Sequence, residues 1–148
     1  MNEDRLKHSI SVGRKMVEIG KKHNLSEQEL KDLFLLGFNH DIGYEFADNG
    51  INHNSIGGKI LKENGYKYWQ EVYYHGEPES QYNSLYLNIL NEADMQIDKY
   101  GNDVGFDKRL EDIKQRYGID SIPYKKSMQV INMLRNGEIK WKIFCQRF

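Results

Sequence analysis

Proline occurs at only two positions, Pro78 and Pro123, and the long intervals around them carry apolar residues at helical spacing. Proline removes a backbone donor and clashes with the preceding helical turn, so a chain with so few can run helix after helix. In the first segment Leu6, Ile10, Gly13 and Val17 form one stripe, and His8, Val12, Met16 and Ile19 form its neighbour. His8 is therefore expected to point inward. Ser26 followed by Glu29 has the pattern of a capping box and opens a second helix, from about Glu27 to Asp41. Its bulky residues Leu33, Phe34, Leu35, Leu36 and Phe38 predict a helix buried on most sides. Gly37, just before His40 and Asp41, either permits the close approach of another helix or is incidental.

Residues 42–52 contain Gly43, Asp48, Asn49 and Gly50 and read as a loop. A third helix starts near His53-Asn54-Ser55 and stops at Gly65, a natural left-handed terminator. Tyr68, Trp69, Val72 and Tyr73 make an aromatic stripe on a short fourth helix that ends near His75-Gly76. Leu87, Leu90, Asp94 and Ile97 share a face of a fifth, running to about Asp98. Phe106, Leu110, Ile113 and Tyr117 mark a sixth, stopped by Gly118, with Asp112 and Arg116 as a modest surface pair. A seventh spans about Tyr124 to Arg135, and Glu138 to Phe148 is ambiguous between helix and strand. The pattern predicts an all-α fold of six to seven helices in a single domain, 1–148. At 148 residues it can bury a core without staples.

A net charge of −1 supplies no field that would draw nucleic acid or an anionic membrane, and no basic groove interleaved with aromatics is visible. The lone cysteine, Cys145, excludes an intramolecular disulfide and a cysteine-rich metal site. Its apolar neighbours make it a small packing residue. The polar start Met1-Asn2-Glu3-Asp4-Arg5 has no secretion signal, and the longest apolar run is too short to span a bilayer. A cytoplasmic setting is the expectation.

The chemistry lies in the histidines. His40-Asp41 closes the apolar run of the second helix, with His8 upstream and His53, His75 and Asp94 downstream. Four imidazoles and two carboxylates suit one or two divalent ions of the first transition row, whereas calcium prefers oxygen alone. Adjacent helical residues diverge by about 100°, so one cation beside the helix end is reached by both His40 and Asp41. Using both of its oxygens, Asp41 can also bridge to a second ion. His23, beside Lys21-Lys22, reads as an ordinary surface residue.

The ordered set His8, His40-Asp41, Asp94 resembles the HD-domain superfamily of metal-dependent phosphohydrolases, and His53 and His75 extend the likeness to its two-metal subgroup. Leu36-Gly37-Phe38-Asn39-His40-Asp41-Ile42-Gly43 is similar to the family's run into its His-Asp pair. His53 to Leu61 is similar to the helix that follows, and Glu92-Ala93-Asp94-Met95 to the element carrying the last ligand. Arg109 to Gly118 resembles a segment of bacterial HD proteins of unassigned substrate, so the likeness covers roughly residues 5–118.

The resemblance implies an HD-like helical bundle whose ions activate water against a phosphoester or phosphoanhydride of a nucleotide or other phosphorylated metabolite. His8, His40, Asp41 and Asp94 would serve the first ion; Asp41, the central catalytic residue and the bridge, would serve the second with His53 and His75. Iron or manganese is the expected metal, with zinc, nickel, cobalt or magnesium as alternatives. Two other activities stay open: a di-iron oxygenase on the same fold, and a metal-binding regulatory module without turnover. Tyr44 stands where the cyclic-dinucleotide branch has a lysine, and that branch's Gly-Tyr-Pro signature is missing, which speaks against its substrates. Arg5, Lys59 and Lys99 are the candidate phosphate-binding cations, and Glu45, Glu77 and Glu79 are candidates for orienting water.

Overall fold

The computed structural model describes residues 2–136, so the ambiguous Glu138–Phe148 segment and Cys145 lie outside the described residues. Seven α-helices follow one another there: α1 (Glu3–Lys22), α2 (Glu27–Asn39), α3 (His53–Glu63), α4 (Trp69–Tyr74), α5 (Leu85–Asp94), α6 (Gly105–Tyr117) and α7 (Ile122–Arg135). Two 3-10 turns, Ile42–Glu45 and Asp48–Gly50, occupy the stretch expected as loop. There is no strand among the described residues, only an isolated bridge between Ile97 and Asp103. No helix there is long and apolar enough to cross a membrane.

The helix starts are set by side-chain caps that satisfy otherwise unpaired N–H groups. Asn2 accepts from the Arg5 N–H at 2.7 Å, Ser84 from Leu87 at 3.0 Å and Ser121 from Tyr124 at 3.2 Å. Ser26 and Glu29 form the reciprocal capping box anticipated from their spacing.

Two glycines decide how α1 and α2 meet. A Cβ on Gly37 would lie 2.5 Å from the Gly13 Cα, and one on Gly13 would lie 2.8 Å from the Phe34 carbonyl oxygen. Backbone therefore packs on backbone, and Gly37 serves close approach. Around this crossing Val12, Met16, Leu33, Leu36, Val72, Ile89, Leu90 and Ala93 form the main core. α6 and α7 close a smaller cluster of Met95, Val130 and Ile131 beyond the end of α5.

Three expectations need correction. α2 stops at Asn39 rather than Asp41, because His40 N–H reaches back only to the Gly37 carbonyl and the chain tightens into the 3-10 turn. α5 stops at Asp94 rather than Asp98, because the chain turns back there and Asp98 pairs with Asn102 instead. Burial of α2 is one-sided: Leu35 is 51% exposed, and an open apolar groove runs between it, Phe34, Leu30 and Val17.

Candidate metal centre

The six residues named from the sequence arrive on five separate pieces of backbone, His40 and Asp41 sharing one, and the packing brings them together. His8 faces inward from α1; His40 caps α2 and Asp41 follows it; His53 opens α3; His75 follows α4; Asp94 ends α5. The segment after Asp41 is drawn onto α3 at Gly43, where a Cβ would overlap the His53 carbonyl oxygen at 1.7 Å. That contact requires glycine and carries His53 to Asp41. One residue beyond Gly57, which also meets Gly43, Gly58 lets α4 approach, since a Cβ there would meet the Tyr73 Cβ at 2.4 Å.

The donor atoms converge. His8 Nε2 lies 2.9 Å from Asp94 Oδ1 and 3.6 Å from Asp41 Oδ2. His40 Nε2 is 3.2 Å from Asp41 Oδ2 and 3.4 Å from Asp94 Oδ1. His53 and His75 both place Nε2 at 3.4 Å from the other carboxylate oxygen, Asp41 Oδ1. Asp41 thus turns one oxygen to each half of the cluster. Three overlapping triads have atoms close enough to share an ion: His8-His40-Asp41, His40-His75-Asp94 and Asp41-His53-His75.

The other ring nitrogen of each histidine is tied down. His40 Nδ1 sits 2.6 Å from the Gly37 carbonyl oxygen, His53 Nδ1 3.2 Å from Gly50, and His8 Nδ1 2.9 Å from Asp98. His75 Nδ1 faces the Val72 carbonyl in the same way. A carbonyl only accepts, so each Nδ1 carries a proton, and each Nε2 faces the carboxylates, offering a lone pair wherever its ring is neutral. This outer arrangement is the one that orients imidazoles toward metals.

A buried polar atom without a partner costs free energy, and His40 Nε2 is such an atom. It is near two carboxylates yet aligned for a hydrogen bond with neither. The orphaned nitrogen, with two carboxylates and three further imidazole nitrogens around it, fits a divalent transition ion held by nitrogen and oxygen.

Without an ion the cluster balances its own charge. Burial opposes ionisation of Asp41 and Asp94, but the neighbouring imidazoles, His40 foremost, hold both well below the usual carboxylate range. Burial also opposes charge on His40, yet Asp41 and then Asp94 lift it well above its ordinary value.

Several surrounding residues escaped the sequence reading. Arg109 of α6 is buried; its Nε–H donates to the Asp94 carbonyl at 3.1 Å, and it pairs with Asp112 at 3.0 Å. Asp112 is therefore shared between Arg109 and Arg116 rather than standing as a simple surface partner. Asn54 donates to the His75 carbonyl at 3.3 Å and to Glu77 at 3.0 Å, and Lys126 of α7 completes that pair at 2.8 Å. Asn54 immediately follows a candidate ligand, which is a usable signal; Arg109 opens the stretch similar to bacterial HD proteins, but nothing in the sequence places it against Asp94.

Among the candidate cations, Arg5 lies over the Tyr44 ring, which itself stacks on His53. Lys59 is exposed on α3, and Lys99 sits over Tyr100. Glu77 is engaged by Asn54 and Lys126, while Glu45 and Glu79 are exposed. His23 caps α1 and is exposed. A family model described as HD domain matches residues 5–104. A search of curated proteins and a search of solved structures each returned no match.

Proposed function

The chain belongs to the HD-domain family, and on that premise we propose that it is a phosphohydrolase dependent on two divalent transition ions. Its substrate would be a small phosphorylated metabolite, a nucleotide foremost, cleaved at a phosphoester or phosphoanhydride bond. The observation that carries this reading is the division of Asp41, with Oδ2 toward His8 and His40 and Oδ1 toward His53 and His75. One carboxylate facing two sets of imidazoles is suited to a bridge between two ions.

His8, His40, Asp41 and Asp94 would hold one ion, and Asp41, His53 and His75 the other, with iron or manganese as the metals. Bound divalent ions supply Lewis acidity, which acidifies water and offsets the charge that develops on phosphoryl oxygens. The protein's share is positioning. The backbone carbonyls fix four imidazole tautomers, Arg109 steadies Asp94 through its carbonyl, and Asn54 holds the backbone at His75. The shared carboxylate keeps both halves in register.

Phosphate release from a nucleotide panel by the purified protein, with Asp41→Asn as control, tests the reading. Turnover reduced at least about 100-fold in the variant is expected, since even loss of outer contacts to such ligands costs 10–100-fold. Metal-loaded protein that releases no phosphate from any member of the panel overturns it. Oxygen uptake by the iron form without phosphate release would point instead to an oxygenase.

A further inference from the structure

Resting on the phosphohydrolase reading, the geometry points to a second anion subsite beside the metal centre, built on Arg5 and Tyr44, that takes the phosphate next to the one attacked. We infer that the preferred substrates are phosphoanhydrides rather than monoesters.

Arg5 lies three residues before His8 on α1, about 4.5 Å along the axis and on the same face. Its guanidinium carbon sits 3.5 Å from the centre of the Tyr44 ring. That ring stacks on His53, centroid to centroid 4.0 Å with an 18° tilt. Arg5 is thereby linked to both halves of the cluster, through α1 to His8 and through Tyr44 to His53.

Stacking occupies the flat face of a guanidinium and leaves its N–H edge for a partner. No carboxylate among the described residues forms an ion pair with that edge, whereas Lys15, Lys126 and Arg109 each have one. A cation held against a ring, in a half-buried setting and with no such ion pair among the described residues, is prepared for an anion with two oxygens in its plane, as a phosphate has.

Distance selects which phosphate. The Tyr44 ring is interposed between the guanidinium and His53, so Arg5 stands two stacking layers from that ring. A phosphoryl group at the centre of the six residues is held by the centre itself. The neighbouring group of a diphosphate reaches outward, toward Arg5. Tyr44 acts here as a positioning residue: its ring fixes the fork, and its hydroxyl is not required.

The probes are inorganic phosphate and methylenediphosphonate, whose P–C–P link resists hydrolysis, titrated calorimetrically into the metal-containing protein while metal content is followed. Wild-type protein is expected to bind the diphosphonate at least tenfold more tightly than phosphate. Arg5→Met should abolish that preference with phosphate affinity kept within about twofold and metal content unchanged. Arg5→Lys should restore it only in part, and Tyr44→Phe should leave it intact. An Arg5→Met protein that retains the full preference, or loses both affinities alike, overturns the subsite while leaving the phosphohydrolase reading in place. Wild-type protein that carries metal but binds neither probe overturns both.

Discussion

Replacing Gly37 by alanine tests whether the contact between α1 and α2 is what assembles the centre. The new Cβ would lie 2.5 Å from the Gly13 Cα and 2.6 Å from its nitrogen. Carbon atoms rest at about 3.5–4.0 Å, so the helices must part by roughly 1 Å. The obstacle is backbone, which cannot rotate aside, and overpacking of that kind costs up to about 3 kcal/mol. Alanine recovers about 1 kcal/mol of helix propensity over glycine. A net loss of about 2 kcal/mol lowers the melting temperature of a chain this size by roughly 4–8 °C. Separation also carries His8 away from Asp41, where Nε2 and Oδ2 are already 3.6 Å apart. Metal affinity should fall at least about tenfold, within the range seen when support around a metal ligand is lost. Circular dichroism melting and metal titration measure the two effects. Gly65→Ala is the control: its Cβ meets nothing within 4 Å, so it costs only the left-handed backbone at φ +76°, roughly 1–2 kcal/mol, and spares metal binding. A Gly37→Ala protein with wild-type melting and wild-type metal affinity would refute the argument.

Two further outcomes follow from the cluster. His53 is a quarter exposed, so His53→Ala should keep the fold while metal content drops from two equivalents to one, read by elemental analysis; an unfolded variant with metal unchanged per folded molecule contradicts the division of ligands. In the apoprotein, the raised His40 contributes stability that is complete below its ordinary value of 6.5 and is lost as pH rises through its folded value. The lowered Asp41 and Asp94 contribute stability present above 3.8 and lost as pH falls through their folded values. Denaturant unfolding of the apoprotein should therefore peak between about pH 4 and 6.5, and metal binding, which needs neutral imidazole, should tighten as pH rises. A flat apoprotein profile from pH 4 to pH 9 would contradict the charge balance within the cluster.

Helices were legible because each carries its own local signals. The stripe of His8, Val12, Met16 and Ile19 is buried as its spacing predicts, and Ser26 with Glu29 marks the start of α2. Helix ends were less legible: α2 and α5 each stop earlier than their apolar pattern, because the residues that follow stay apolar or ligating while the backbone turns. The apolar run overstates the burial of α2 for a related reason, since a run of Leu and Phe does not say which face has a partner. The six converging residues were visible through their order and type. The roles of their supports were not, even for Asn54, whose place beside His53 is the one local signal. Arg109, Asn54 and the Tyr44 stack act through tertiary contacts between residues far apart in the chain, and Gly43 and Gly58 show their purpose only once a second helix lies against them.

Elemental analysis of protein purified without added metal tests the binuclear centre most directly. About two equivalents of iron or manganese per chain, falling below one in Asp41→Asn, is the outcome expected of a carboxylate shared between two ions. Two equivalents retained after loss of that carboxylate, or no metal in the wild-type protein under conditions that keep it folded, would contradict it.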